Sequence, residues 1–554
     1  MDRFLPATTD LSPSLKAILS PVQCYKQPEQ CDTGAAGSFS GGVAVDEPRA
    51  ALIGREILSI GGNAVDAATA IYFALSVTLP SSAGLAGGGV CAVHPVEDGE
   101  DEILQFFPVS SSAPITNSLR PSAIPGNPRG FFALHAKYGK LAWRQLLVPA
   151  ENMARFGYRI SRAFSSELGR VAPALGADPE AQKIFFRDNG SPFPEGYKIK
   201  QVDYSGVLSR LRTRGVGDFY LGPYSKIVIE SIRRAGGTIN EDDLKNFVPT
   251  WVKPLRVNGA FNTQLIFSPP PASAGLIGAQ ISAMIREKIY KMRDLSGLAG
   301  FRGFQEADYQ HLLVETVKRV YSQRRKWLQK DGSIAGDPQE LLSEDKINSM
   351  LSSIDMSRAT KIGRLSPMPE AFPETSSAAT FAVIDRKGGA VACAVTMNNL
   401  FGTGKIAQGL GILLAAAPDN KGRGYSALIP MLVTHKFKHG IFMAAAASGG
   451  VTAPTALANI AAKVALEKTP LETAIKAPRV HHSGFPDIVY VEQNMDPVII
   501  KNLRARGHTV SVSTTLGKVN ALFCAGGVPP GKNKAPNCSF WSDPRGHGLA
   551  VSED

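Results

Sequence analysis

No two of the six cysteines (Cys24, Cys31, Cys91, Cys393, Cys524, Cys538) stand at CxxC spacing in this 554-residue chain, which excludes a zinc ribbon and a thioredoxin-type redox motif. Packed, reduced thiols are the expected state, with Cys24 and Cys31 close enough in sequence to close a small loop in an exported protein. The first 40 residues carry no basic segment followed by an apolar core, so no secretory leader is expected and the cytoplasm is slightly favoured. No run of 18 or more apolar residues occurs, so no membrane span is expected. The chain also has no Gly-x-Ser-x-Gly pentapeptide, which removes the common serine-hydrolase elbow. Neither a metal nor an organic cofactor is implied. His435 and His439 in HKFKH have i, i+4 spacing, but no Glu follows the first His and the segment reads as strand and turn.

What is present suits a sizeable folded unit. Hydrophobic residues make up 44% and charged residues 19%, and 54 glycines with 38 prolines imply many tight turns. The net charge of +12 favours acidic ligands or surfaces in principle. Its basic run KRVYSQRRKWLQK (318–330), however, sets Val320, Tyr321 and Trp327 at helical spacing. An amphipathic surface helix is therefore expected there rather than a nucleic-acid site.

Residues 1–40 are polar and irregular, with Pro6, Pro13, Pro21 and Pro28 breaking any long element, and read as a peripheral arm. From Gly41, GGVAV reads as a short buried strand and EPRAALIGREIL as a helix stopped by Gly61 and Gly62. Asn63 has the look of an N-cap with Asp66 three residues on, ahead of AVDAATAIYFALSVTLP, which is apolar all round and so a core helix. The glycine cluster in SSAGLAGGGVCAVHP brings backbone close to something. It follows a helix and opens a strand, the reverse of the order in a nucleotide-binding loop. LAWRQLLVPAENMARF, GPYSKIVIESIRRAGG and ADYQHLLVETVKRVYSQRRKWL read as amphipathic helices, and residues 339–377 as an exposed connection or processing loop. After a boundary near 377, ATFAVID, AVACAVTM and HGIFMAAAA read as strands. Strands in two places, each with flanking helices, imply a layered α/β domain with packed sheets.

Eight segments, in order, resemble the gamma-glutamyltransferase family: GGNAVDAA (61–68), SSAGLAGGG (81–89), PPPASAG (269–275), TMNNLFGTG (396–404), GILL (411–414), SGG (448–450), APRVHH (477–482) and SDPR (542–545). The resemblance runs from about Gly41 to Arg545. It implies an αββα sandwich, the N-terminal-nucleophile (Ntn) hydrolase fold, made as one precursor. Such a precursor cuts itself before a threonine, and the new N-terminal residue becomes the nucleophile. The chain then divides into the arm (1–40), a large-subunit-like region (41–377) and a small-subunit-like region (378–554).

The family's nucleophile position falls on Ala378 in AATFAVID (378–385), and the next two positions are Ala379 and Thr380. Alanine can neither attack a carbonyl nor start the N-to-O acyl shift of self-cleavage. Thr380, on the same strand face and displaced by roughly 6 to 7 Å, is the replacement candidate, with Thr375, Ser376 and Ser377 behind it. The family's carboxylate-binding arginine falls on Ser110, which has no bidentate cationic fork. Its aspartate after GILL falls on Asn420, following Asp419, and its Ser-Ser pair on Ser426 and Ala427. The tandem Gly449 and Gly450, whose amides form the family's oxyanion hole, are kept, as is Asn398 beside the nucleophile position. The resemblance thus implies an amidohydrolase or acyltransferase taking γ-glutamyl or related acyl amides, similar to the cephalosporin-acylase-like branch. A small-molecule amide or peptide is then the substrate, with large and small subunits from one precursor if it cuts itself. The alternative is an uncleaved, silent homologue that binds a small ligand or a partner.

Overall fold

The computed structural model describes residues 41–96, 99–112, 121–296, 304–329, 333–365, 377–418, 426–529 and 536–553. The chain enters on β1 (Gly41–Val45), a fully buried strand, and passes into α1 (Pro48–Ser59), where the Glu47 carboxylate accepts from the Ala50 amide at 3.0 Å. The cap expected before the next helix is present: Asn63 and Asp66 exchange side-chain-to-amide hydrogen bonds at the start of α2 (Ala64–Thr78), which is buried on every side. One short turn of helix, α3 (Pro80–Ala83), leads through the glycine cluster into β2 (Gly88–His94) and β3 (Glu102–Phe106). The glycines serve packing between strands. A Cβ on Gly87 would lie 2.3 Å from the Thr396 carbonyl oxygen, and one on Gly88 2.2 Å from that of Phe106.

Further along come α4 (Arg162–Leu175), β4 (Thr250–Val252), β5 (Leu255–Asn258), β6 (Thr263–Phe267), α5 (Ala274–Ser296) and α6 (Glu306–Gln323). Past residue 377 follow β7 (Ala378–Asp385), β8 (Ala390–Thr396), β9 (Ile429–His435), β10 (Ile441–Ser448), α7 (Ala453–Leu466), β11 (Lys518–Val528), β12 (Cys538–Trp541) and β13 (Leu549–Glu553).

These strands make two antiparallel sheets, ordered β13-β1-β7-β8-β2-β3-β4 and β12-β11-β10-β9-β6-β5. Strand alternation sorts the side chains into layers. In β7, Ala379, Phe381 and Val383 pack outward with α1 and α2, while Ala378, Ala382 and Ile384 face the second sheet. The layer between the sheets is rich in alanine (Ala44, Ala92, Ala392, Ala394, Ala444), with Leu428, Leu432 and Leu522 filling it. On the far side, α5, α6 and α7 cover the second sheet. The order of layers is helix, sheet, sheet, helix.

Three expectations are corrected. The segment 339–377 holds a helix, Glu344–Ser352, whose Ile347, Met350 and Leu351 are buried. The basic run is not a surface helix. Lys318, Arg319 and Arg324 are buried, with Arg319 held by Glu315 at 2.5 Å and by Ser353 and Thr360, and Lys318 held by Asp487 at 3.1 Å. The charges of Lys318 and Arg319 are met by Glu315 one helical turn earlier and by Asp487 from a distant segment. Finally, Cys91 is bonded to Cys393 and Cys524 to Cys538, since strand register sets each pair directly opposite across neighbouring strands. Cys24 and Cys31, like the whole N-terminal arm, lie outside the described residues.

Candidate active site

Strand β7 opens on Ala378, 6% exposed and directly opposite Thr396 at the end of β8. The Thr396 hydroxyl donates to the Ser377 carbonyl at 2.5 Å and accepts from the Asn398 amide at 2.9 Å. The Ser377–Ala378 peptide is thus gripped at its carbonyl, yet Ala378 presents a methyl group where attack requires a hydroxyl. Asn398 has a φ of +62°, a left-handed conformation that asparagine tolerates. Its side-chain amide donates to the Ala416 carbonyl at 2.8 Å and the Pro108 carbonyl at 3.4 Å. Its buried Oδ1 has no hydrogen-bond partner among the described residues.

One residue earlier, the partly exposed Ser377 places its Oγ 2.6 Å from Ser82 Oγ on α3. Ser82 in turn donates to Glu167 Oε2 on α4 at 3.2 Å, and Ser81 donates to the same oxygen at 2.5 Å. An ionised carboxylate only accepts. With Ser82 donating to Glu167, Ser377 is the partner left to donate to Ser82, giving a hydroxyl, hydroxyl, carboxylate chain that begins at Ser377.

Thr380 has a different setting. It is fully buried, its amide donates to Asp46 Oδ2 at 2.8 Å, and its hydroxyl donates to the same oxygen at 3.2 Å while accepting from Asn520 Nδ2 at 2.8 Å. Asn520 Nδ2 also reaches the Thr380 carbonyl at 3.0 Å and Asp46 Oδ1 at 2.9 Å. This is a closed structural knot joining the end of β1 to β7 and β11, and it occupies the Thr380 hydroxyl at a fully buried position. The expectation that Thr380 supplies the attacking hydroxyl is not supported by this geometry.

The tandem glycines follow β10 and lead into α7. Gly449 has a φ of +124° and Gly450 of +63°, conformations in which glycine avoids the strain a side chain brings. Space adds a second constraint, because a Cβ on Gly449 would lie 2.7 Å from the Gly517 Cα. The Thr452 hydroxyl donates to the Gly449 carbonyl at 2.8 Å and fixes the turn. Across from it, β11 begins at Lys518, paired with Ser448. Burial alone would lower the Lys518 pKa, but the nearby carboxylates of Asp46, Glu167 and Asp543 outweigh it and raise the value above the usual lysine range.

A sequence profile of the family described as Gamma-glutamyltranspeptidase matches residues 50–552. The chain belongs to the gamma-glutamyltranspeptidase family. Among its relatives, the glutathione hydrolase proenzyme of Escherichia coli (strain K12) is 26% identical, with 87% of this chain and 88% of the relative covered. The Acylase ACY 1 proenzyme of Pseudomonas sp. (strain SE83) is 26% identical over 89% of this chain and 91% of its own. The solved structure of cephalosporin acylase from Bacillus halodurans superposes with a TM-score of 0.76 at 20% identity, covering 94% of this chain and 98% of that one. The architecture is the αββα Ntn-hydrolase fold of the gamma-glutamyltranspeptidase family.

Within that family frame, Ser110 is exposed and bridges Ala123, and the neighbouring Ser122 bridges Ala416, so the residues expected at the acyl pocket are tied to the Asn398 segment. No cation accompanies Ser110 in its strand neighbourhood 108–112. Ser426 is held through its carbonyl by the Ala274 amide at 2.8 Å, and Ala427 is buried. Asp419 and Asn420 lie outside the described residues. Glu167, Asp46, Asn520 and Lys518 carry no motif in the sequence that marks them as part of this site. Ser82 and Thr396 stood inside quoted motifs, but Glu167 sits on a helix with no motif of its own.

Proposed function

We propose that this gamma-glutamyltranspeptidase-family protein is an amide-cleaving acyl-transfer enzyme whose attacking hydroxyl is Ser377, one residue before the family position. The observation carrying this reading is the Ser377–Ser82–Glu167 chain, 2.6 Å and 3.2 Å long in its two links, at the strand end where Ala378 leaves no hydroxyl. In self-processing, Ser377 Oγ attacks the carbonyl carbon of residue 376. An ester forms as the C–N bond breaks, and water then releases a carboxylate and leaves Ser377 with a free amine and hydroxyl. The same hydroxyl next attacks the carbonyl of an amide substrate, with the Gly449 and Gly450 amides facing the oxyanion; Glu167, through Ser82, receives the hydroxyl proton and returns it to the amine, which leaves as the C–N bond breaks and the ester forms. Water or an amine accepts the acyl group. The acylase and glutathione hydrolase relatives support acyl amides as the substrate class, and serine at position 110, where the resemblance places an arginine, argues for a changed acyl pocket. The two disulfides support an oxidising compartment instead of the cytoplasm.

Ala378 favours a second reading, an uncleaved and silent homologue that retains the fold to bind a small ligand or a partner. Intact mass of the reduced protein, with N-terminal sequencing of fragments, separates the two. A fragment beginning at Ser377, absent in Ser377→Ala, supports the enzyme. One chain of 59.0 kDa after long incubation, with no amide hydrolysis, supports the silent homologue.

A further inference from the structure

The two sheets end together on the side away from Ala378. Strand β7 runs from Ala378 to Asp385, so the turn between β7 and β8 (386–389) lies at that far end, and the pairing of Ala390 with His94 sets the turn between β2 and β3 beside it. A Cβ on Gly388 would lie 2.6 Å from the Val528 carbonyl oxygen, and Val528 pairs with Ile441, which brings the turn between β9 and β10 (436–440) to the same end. His435 pairs with Thr263, and the Lys436 amide donates to the Asn262 carbonyl at 2.8 Å, so the turn between β5 and β6 (259–262) is tied to its neighbour. Four hairpin turns thus share one end face of the sandwich, opposite the glycine turn.

Two aromatic side chains stand out on this face: Phe437 is 77% exposed and Phe261 66%. Phe261 has a φ of +45° and Asn262 of +61°, and the Thr263 amide donates to the Ala260 carbonyl at 2.9 Å. They are the central residues of a tight turn whose positive φ values favour Asn, Asp or Gly. A phenylalanine there gains neither burial nor turn preference, so fold stability does not account for it. Around the two rings Lys436, Lys438, Arg386 and Lys387 are exposed, and none of their cationic groups forms an ion pair among the described residues. The buried acids nearby are committed: Asp385 accepts from the amides of Ala64, Lys387 and Gly389, and Asp101 is bonded to His94 and Arg256. Glu100 is the exposed carboxylate on these turns among the described residues, Glu97 and Asp98 lying outside them.

We propose that this end of the sandwich docks on an anionic lipid surface, with Phe261 and Phe437 entering the interface and the four cations meeting headgroup phosphates. A single exposed apolar residue needs no explanation, but two on adjoining turns beside unpaired cations mark a contact surface. The run Lys436–Phe437–Lys438 matches the layering of a membrane surface, where charged headgroups lie over hydrocarbon and lysine stems span the two. An acidic protein would satisfy the lysines and leave the phenylalanines in water. Because the face lies at the end away from Ala378, docking does not compete with access to the candidate active site, and the inference stands apart from the acyl-transfer reading.

Cosedimentation of the whole protein with vesicles of phosphatidylcholine alone, and of phosphatidylcholine with about one-third phosphatidylglycerol, tests the assignment without requiring turnover. At about 0.05 M salt the wild-type protein is expected to bind the anionic vesicles at least about 10-fold more tightly than the neutral ones, and about 0.5 M salt should remove most of that difference. Lys436→Gln with Lys438→Gln is expected to weaken binding about 25-fold, roughly five-fold for each cation. Phe261→Asn with Phe437→Ser should weaken it about 10-fold while leaving the melting temperature unchanged or higher, since asparagine suits the Phe261 backbone. Equal binding to the two kinds of vesicle, or binding that both double variants retain in full, overturns the proposal. A concentration-dependent dimer that ignores vesicles and is abolished by Phe261→Asn with Phe437→Ser assigns the face to a second copy of the chain and overturns it as well.

Discussion

Replacing Thr380 by valine separates the structural hydroxyl from the proposed chemical one. Valine has nearly the same shape, so the change removes two side-chain hydrogen bonds, the one donated to Asp46 at 3.2 Å and the one accepted from Asn520 at 2.8 Å. The first involves a carboxylate and stabilises by about 1.5–3 kcal/mol. The second, shared by an amide that also serves the Thr380 carbonyl and Asp46, adds less than about 1 kcal/mol. The sum is about 2–4 kcal/mol at a fully buried position. Unfolding entropy of about 2.1 cal/mol/K per residue comes to roughly 1 kcal/mol per degree for a chain of this length, so the melting temperature should fall by about 2–4 °C. Differential scanning calorimetry reads this directly. Thr380→Val should nevertheless process and hydrolyse as the wild type does, whereas Ser377→Ala should abolish processing and leave the melting temperature within about 1 °C. A Thr380→Val protein that melts like the wild type but fails to process would refute the reasoning and return the nucleophile to Thr380.

Gly449→Ala forces a side chain into a φ of +124° and against Gly517 at 2.7 Å; hydrolysis should drop by about 10²- to 10³-fold through displacement of the oxyanion amides, and an unchanged kcat would remove that role. Burial is the main cause holding His481 and His508 down to about 3, aided at His481 by His482 and Arg324 and at His508 by Lys318. Because these folded values lie below the unfolded value near 6.5, their contribution is complete above pH 6.5 and declines as pH falls toward 3. At pH 5 each should cost about 2 kcal/mol of stability, seen as a lower melting temperature that His508→Gln partly flattens. Peptide mapping without reductant should recover Cys91 joined to Cys393 and Cys524 joined to Cys538; free thiols at those positions would contradict the two bonds.

The parts of the fold legible in sequence were those set by local periodicity and by turns. Asn63 with Asp66 announced the start of α2, and its continuous apolar run announced complete burial. Period-two patterns in AATFAVID and AVACAVTM gave β7 and β8. The glycine pair 449–450 stood out through the family resemblance, and its backbone, at φ of +124° and +63°, is one that glycine adopts without strain. What stayed hidden depends on side chains meeting from distant segments. Nothing near Glu167 says that its carboxylate turns toward Ser81 and Ser82, more than 80 positions earlier. Thr380 looked available because strand alternation reports which face it takes, not that Asp46 and Asn520 already occupy its hydroxyl. Lys318 and Arg319 read as surface charge because their partners Asp487, Ser353 and Thr360 come from other elements.

The bond between Cys91 and Cys393 joins a strand from before residue 377 to one from after it, and the seven-stranded sheet interleaves both regions strand by strand. A cut next to Ala378 therefore cannot release two particles. The halves would remain one covalent object, migrating as a single band until a reductant is added, and neither half made alone would possess a complete sheet to fold around. Assembly must come first and scission second. A preparation judged intact on a non-reducing gel would tell nothing about whether the chain had matured.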